Sequence, residues 1–370
     1  MKLDELRETK LAELAQALVD QRAARIVVPA QQPESGFWFG GGNMIEDASG
    51  MLYLVGRYRN VGDSRTGLGL GQRGLELAIF QSSDRGETFQ KIVSFTKSDL
   101  NVGDRDVLSI EGSALRWTDD CVKLFVSTEK SNIADPPGFE DYLKPGTGVW
   151  TVERLAAASI EDLPGAKIET VLECRDPQFI HVKDPFVYDL PNGDLALLFC
   201  THPYCWSSSN TGLALRHRDS GNYEAPQLDF FPRGVTWDVA ITRGTAVWDV
   251  PHLGAFRDVN VSLVFYDGGE SLRNLDEHAT AVKRPRGYSC EELGGVGYLL
   301  DGQWRQIQRL SRYQPMFVSP WGTGCSRYVD IHTSTDAIYA TWQQSQADLS
   351  QPLVLHRLAL EKVAAILGDS

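Results

Sequence analysis

Three short segments place carboxylates where strand-forming sequence would otherwise run. Val182-Lys183-Asp184-Pro185-Phe186-Val187-Tyr188 sets Asp184 inside an apolar run and follows it at once with proline. Aspartate is a poor strand former and proline removes a ladder donor, so something other than sheet stability holds the pair there. Ser109-Ile110-Glu111-Gly112-Ser113 does the same with Glu111, and Cys290-Glu291-Glu292-Leu293 puts Glu291 just ahead of a further strand. Carboxylates converging from separate strands are what cleavage of a glycosidic bond requires. One protonates the leaving oxygen, and another activates water or attacks the anomeric carbon. A third nearby would keep the acid protonated by like-charge repulsion. Glu111, Asp184 and Glu291 are therefore the catalytic candidates, with Asp63 in reserve. The plainer alternative for each is a hydrogen-bonded structural carboxylate or, for Glu291, an exposed acidic loop.

Residues suited to holding a sugar accompany them. Arg57 and Arg65 belong to a polar, Gly-rich stretch from 57 to 76, and Arg243 and Arg327 sit in strand-like runs. Guanidinium forks bind carboxylates or adjacent sugar hydroxyls with fixed geometry, although an internal Arg-Asp network would use the same residues. Tyr204 and Trp206, between two strands, would offer aromatic faces to a sugar ring, and His202 would orient a carboxylate or water. Gly40-Gly41-Gly42-Asn43 leaves room for a ligand or for other side chains, with Asn43 as a binding candidate. The seven histidines show no paired metal-binding spacing and the six cysteines form no CxxC pair. No phosphate-binding glycine fingerprint occurs, so neither metal nor cofactor is expected.

The elements that must position these residues follow a rhythm. Residues 1–20 place Leu3, Leu6, Leu11, Leu14 and Leu18 near a 3.6-residue period, predicting an amphipathic helix against the body or a partner subunit. After it come short strands in groups of about four, spanning 37–95, 107–173, 180–231 and 239–310. A last group from 324 to 358 shows three strands. Repeating four-strand units predict an all-β fold, a five-bladed β-propeller, with residues 1–23 as helix and 24–370 as one domain. The segment 24–28 would supply the last blade's missing strand and close the ring, removing an open edge. A β-sandwich is the competing architecture. In a propeller the first strand of each blade lines the channel. Glu111, Asp184, Arg243 and Arg327 all fall on first strands.

Composition narrows the partners. The chain has 370 residues, 42% of them hydrophobic, and a formal charge of -13, which disfavours a nucleic-acid backbone. With no apolar run long enough for a bilayer and scattered cysteines, the reading is a cytoplasmic protein acting on an oligosaccharide or small glycoside.

Ser82-Ser83-Asp84-Arg85-Gly86-Glu87-Thr88-Phe89 resembles the Asp-box hairpin of sialidases and other propellers, which is structural there. The whole pattern resembles the five-bladed glycosidases, the arabinanase, xylosidase and invertase-like group. Lys183-Asp184-Pro185 is similar to its Asp-Pro signature, whose aspartate orients substrate and tunes the acid. Glu111-Gly112 is similar to its Glu-Gly element, which carries the general acid. The order Glu before Asp is reversed from the arabinanase-like branch, which makes Glu291 the rival acid. The first-blade aspartate of the group has no counterpart, since Asn43 stands in that region. The resemblance implies a glycoside hydrolase. Alternatives are a sialidase-like enzyme, with Arg57, Arg243 and Arg327 on an anionic sugar, and a non-catalytic carbohydrate-binding propeller.

Overall fold

The computed structural model describes residues 2–60, 74–118, 121–133, 137–138, 148–174, 176, 178–204, 208–270, 291–300 and 306–368. Its strands form five antiparallel sheets, met in chain order as the blades of a ring. Blade 1 contains β2 (Trp38–Gly40) and β3 (Met44–Glu46) in line, then β4 (Leu52–Arg59), β5 (Glu76–Ser82) and β6 (Gln90–Thr96). Blade 2 contains β7 (Val107–Trp117), β8 (Val122–Lys130), β9 (Val149–Ala157) and β10 (Glu169–Glu173). Blade 3 contains β11 (Phe179–Asp189), β12 (Leu195–Pro203), β13 (Asn210–Arg216) and β14 (Gln227–Phe231). Blade 4 contains β15 (Ile241–Asp249), β16 (Val261–Gly269), β17 (Leu293–Leu300) and β18 (Gln308–Arg309). Blade 5 contains β19 (Ser326–Thr333), β20 (Ala337–Gln344) and β21 (Leu353–Ala359), and β1 (Arg25–Val28) pairs with β21 as its fourth strand. The predicted ring closure is thus present.

The middle strands of each blade are largely buried on both faces, which neighbouring blades cover, and β20 and β17 are buried along their whole length. Helix α1 (Glu5–Leu18) starts at Asp4, whose carboxylate accepts the Arg7 N–H at 2.8 Å. Its Leu11, Leu14 and Leu18 are fully buried among residues of blades 4 and 5, including Trp248, Leu263 and Trp342. Those leucines bind the helix to its own chain, so the expected subunit contact gains nothing from them. A second helix, α2 (Leu360–Leu367), packs beside α1, and Lys10 donates to the carbonyls of Ile366 and Gly368 at its end. At eight residues, α2 is too short to show a periodic signal.

The inner strands carry the architecture's main irregularity. Pairing slips at Ile110/Ser113 in β7, Lys183/Phe186 in β11, Gly244/Ala246 in β15 and Arg327/Asp330 in β19. In blade 1 the inner edge breaks outright between β2 and β3, at Gly41–Asn43. Each blade therefore bulges on its channel-facing strand, and a bulge re-aims a side chain out of the ladder. Polar bonds lace neighbouring blades beside these bulges. Ser113 N–H donates to Gly41 O at 2.8 Å, the Asn43 amide exchanges two bonds with the Leu115 backbone, and Met44 N–H donates to Asp330 Oδ2 at 2.8 Å.

Asp330 makes that last bond from a site where burial drives its carboxyl up to about 7, against the opposing pull of the Met44 and Ile331 amides. An acid whose folded pKa lies above its unfolded value takes up a proton on folding. Its stabilising contribution is complete below the unfolded value of 3.8 and is lost as pH rises towards about 7. Asp330→Asn removes this dependence. The melting temperature of the variant relative to wild type should rise by a few degrees, roughly, between pH 4 and pH 8; an offset that does not change with pH would contradict the assignment.

Candidate active site

The bulges turn side chains from several blades towards one mouth of the channel. Blade 1 contributes from its second strand. Arg57, on β4, reaches the channel through the gap left by Gly40-Gly41-Gly42, since a Cβ built on Gly41 would stand 1.7 Å from Arg57 Nη1. Gly41 also has φ +74, in the left-handed region that favours glycine. The guanidinium lies 4.8 Å from the Trp38 ring centroid, and Nη1 donates to Gly40 O at 3.2 Å. Its Nη2 meets residues of three other blades: Glu111 Oε2 at 3.2 Å, Tyr328 Oη at 3.2 Å and Asp184 Oδ1 at 3.8 Å. The two carboxylate oxygens on this one nitrogen can be no more than about 7 Å apart, close enough for two carboxyl groups to flank a scissile bond.

Asp184 sits at the bulge of β11 with φ 51, a conformation that aspartate tolerates better than most residues. Lys183 pairs with Cys200 and Phe186 with Leu198, so the Asp-Pro pair is the bulge itself, where a residue without an N–H costs no ladder bond. A clasp joins it to blade 2. Gly112 N–H donates to Asp184 Oδ1 at 2.9 Å, Asp184 N–H donates to Ser127 Oγ at 2.9 Å, and Ser127 Oγ–H donates to Gly112 O at 3.2 Å. A Cβ on Gly112 would stand 2.7 Å from Asp184 Oδ1, so the clasp requires glycine beside Glu111. The other Asp184 oxygen faces Arg243 Nη1 at 3.5 Å and Lys183 Nζ at 4.0 Å.

Glu111 accepts Ser109 Oγ–H at 2.7 Å on its remaining oxygen. Burial pushes its carboxyl upward, but Arg57 and Lys183, with the Ser109 bond, outweigh this and bring it down to about 2. It is an ionised carboxylate at neutral pH, suited to activating water or attacking carbon.

A second arginine organises the opposite side. Arg243, on β15, grips Asp267 of β16 through Nε at 3.2 Å and Nη2 at 2.7 Å, and Nη2 also meets Glu292 Oε2 at 2.5 Å. Asp267 in turn accepts the Tyr328 N–H on both oxygens, at 3.0 and 3.2 Å. Burial and the neighbouring Glu292 raise the Asp267 carboxyl to about 6 despite Arg243. Arg327 donates to Glu292 Oε2 at 2.7 Å. Burial disfavours the charge on Glu292, yet its two arginines hold it well below the usual carboxylate range.

The structure thus brings Glu111, Asp184, Arg57, Arg243 and Arg327 together. Glu291 is buried, with Oε2 accepting from Thr323 Oγ1 and from Gln351 Nε2 at 3.3 Å. Asn43 laces blades 1 and 2 through its two bonds to the Leu115 backbone and also lines the cavity in the channel. His202 is buried, its Nδ1 bonded to Ser208 O at 2.7 Å, and desolvation holds the ring neutral. Tyr204 is exposed, at φ 56. Asp63, Arg65 and Trp206 lie outside the described residues. Sequence reasoning passed over Glu292, Asp267, Lys183 and Tyr328; a charged residue inside the apolar run of β16 was the available signal for Asp267. Among the described residues no group of three His, Cys, Asp or Glu side chains is arranged to hold a metal ion.

No protein-family model matches this chain, and no curated protein does. Solved structures do. One described as a glycoside hydrolase superposes with TM-score 0.61 at 10% identity, covering 96% of both chains. A thermostable family-43 glycoside hydrolase gives 0.54 at 9% identity over 89% of this chain and 92% of its own. A xylan β-1,4-xylosidase from Bacillus halodurans gives 0.54 at 11% identity, over 90% of this chain and 54% of its own. The chain has the five-bladed propeller fold of these proteins. At such identities the likeness carries the backbone alone, and the chemistry rests on the residues above.

Gly41→Ala tests whether the glycine gap admits Arg57. Gly103 provides the control, since it too has positive φ, +62, but a Cβ there meets nothing within 4 Å. Chemical denaturation should show Gly41→Ala costing about 1–3 kcal/mol more than Gly103→Ala, the usual scale of overpacking. Equal costs would mean that backbone conformation alone fixes glycine at 41.

Proposed function

We propose that this protein hydrolyses the glycosidic bond of a terminal sugar in an oligosaccharide or small glycoside. The observation that carries the reading is the pair Glu111 and Asp184, from neighbouring blades, converging on one arginine at the channel mouth. The propeller fold, which it shares with glycoside hydrolases, supports it. Beside Asp184 the floor of the channel is a cavity of about 20 Å³, room for about one water-sized group, among Gly41, Gly112, Asp184, Phe186, Gly244 and Tyr328.

In this scheme Glu111, held ionised, activates water or attacks the anomeric carbon. Asp184 positions it through the Gly112 amide and faces the sugar from the channel floor. Of the carboxylates singled out in the sequence, Glu291 and Asp63 are then left to donate the proton. The arginines would also suit an anionic sugar, as in a sialidase. Arg57 and Arg243, however, are 2% and 4% exposed and spend their donors on the protein's own groups, which favours a neutral sugar.

Hydrolysis of a panel of nitrophenyl glycosides tests the reading. Glu111→Gln and Asp184→Asn should each lose at least about 100-fold in kcat with the melting temperature retained. Loss of the proton donor, in Glu291→Gln or Asp63→Asn, should spare dinitrophenyl substrates, whose leaving group needs no proton, while abolishing cleavage of alkyl glycosides. Near-normal turnover by Glu111→Gln would sink the scheme, and sugar binding without turnover in wild type would make the protein a binding module.

A further inference from the structure

Tyr328 belongs to no part of that scheme, yet it is the most constrained residue of the channel. It is a non-glycine residue at φ 54, on the bulge of β19. Such a backbone costs on the order of 1–3 kcal/mol and persists only where surroundings over-determine it. Here they do. Both oxygens of Asp267 hold its N–H, and its ring lies 4.2, 5.3 and 5.5 Å from the guanidinium carbons of Arg243, Arg57 and Arg327. Three cations on one aromatic ring fix its plane from several sides.

The phenol oxygen is similarly placed. It accepts a hydrogen bond from Arg57 Nη2 at 3.2 Å, so one lone pair is occupied by a charged donor and its own O–H must point elsewhere. Among the described residues nothing accepts that proton within hydrogen-bond reach, while the side chain lines the floor cavity with Asp184. Burial, the first influence, and the nearby Asp184 raise its pKa against the pull of the arginines, so the group is a neutral donor and not a phenolate nucleophile. A guanidinium on the oxygen strengthens the opposite O–H as a donor.

We infer that Tyr328 is a substrate-contact residue, its phenol donating a hydrogen bond to one ring hydroxyl of the sugar seated on Asp184. The inference deepens the hydrolase reading and rests on it. It names a neutral polyhydroxylated ring above the floor cavity, whose roughly 20 Å³ admits one of the ring's hydroxyls, and it makes that hydroxyl a determinant of specificity. A donor fixed before the sugar arrives loses no freedom on binding, so its bond strengthens as the ring distorts towards the transition state.

Tyr328→Phe keeps the ring and its three cationic neighbours and removes only the hydroxyl. Its melting temperature should fall by no more than a few degrees, roughly, since Arg57 Nη2 loses the phenol oxygen but keeps Glu111 and Asp184, and kcat/KM should fall by roughly ten- to a hundred-fold, the range for losing a hydrogen bond polarised by charge. Monodeoxy versions of the cleaved glycoside supply the readout that a structural role would not move. For one of them, lacking the partner hydroxyl, wild type and Tyr328→Phe should turn over equally. A variant within twofold of wild type, or one impaired equally on every deoxy substrate, overturns the inference while leaving Glu111→Gln to decide the hydrolase reading. If wild type cleaves no glycoside, that reading fails, and calorimetry with free monosaccharides decides the inference instead. Weaker binding by Tyr328→Phe upholds it; equal binding, or no sugar bound by wild type, ends it.

Discussion

One guanidinium holds the mouth of the channel together. Arg57 comes from the second strand of blade 1 and touches Glu111 of blade 2, Asp184 of blade 3 and Tyr328 of blade 5 through a single nitrogen. Residues at such sequence separation have no local reason to share a volume. Two carboxylates this close would repel if left alone, and one would take up a proton. The arginine between them allows Glu111 to stay ionised beside Asp184. The arrangement of the channel mouth therefore depends on one long side chain passing where blade 1 has no side chains of its own.

That passage, and the orientation of every other group, comes from the broken inner strands. A regular strand would send alternate residues into the blade-to-blade packing, leaving the channel lined by short, evenly spaced side chains. The slips at Glu111-Gly112, Asp184-Pro185, Thr245 and Tyr328 interrupt this on four blades, and the Gly41–Asn43 break does so on the fifth. Asp184 and Tyr328 adopt left-handed backbones, each pinned by the hydrogen bond its N–H donates to a neighbouring blade. Strain concentrated at one level of a rigid ring is what a preorganised site looks like.

These physics explain what the sequence disclosed. The four-strand rhythm and the closing strand were legible because blade repeats have a fixed period and an open edge needs a partner. Asp184 was legible because Asp-Pro contradicts a strand, and the contradiction is the bulge. The glycines before Asn43 promise room for a ligand or for other side chains; the occupant is Arg57, which no local pattern reveals. Asp267 lies on β16, not on a first strand, and meets the channel groups because β15 sends Arg243 back to it and β19 turns the Tyr328 N–H onto it. Between Glu291 and Glu292 the matter is one of parity. Adjacent residues leading into β17 face opposite ways, and without the register the chain gives no means of knowing which meets the arginines.

The charge pairing also bears on how the site behaves with pH. Glu111 and Glu292 are each held by guanidinium groups whose own protons do not leave in the accessible range, so both stay charged from mildly acidic to basic conditions. Desolvating such ions is expensive, and replacing them with apolar residues would cost the fold little or even stabilise it. Their retention is therefore better explained by geometry than by stability. A fixed lattice of opposite charges holds its carboxylates at set positions before a substrate arrives, at an energetic cost the large propeller core can offset. A change of activity near neutral pH then belongs to a proton donor outside the lattice, or to Asp267 and Asp330, whose carboxyls are raised to about 6 and about 7 and which act through the groups they hold.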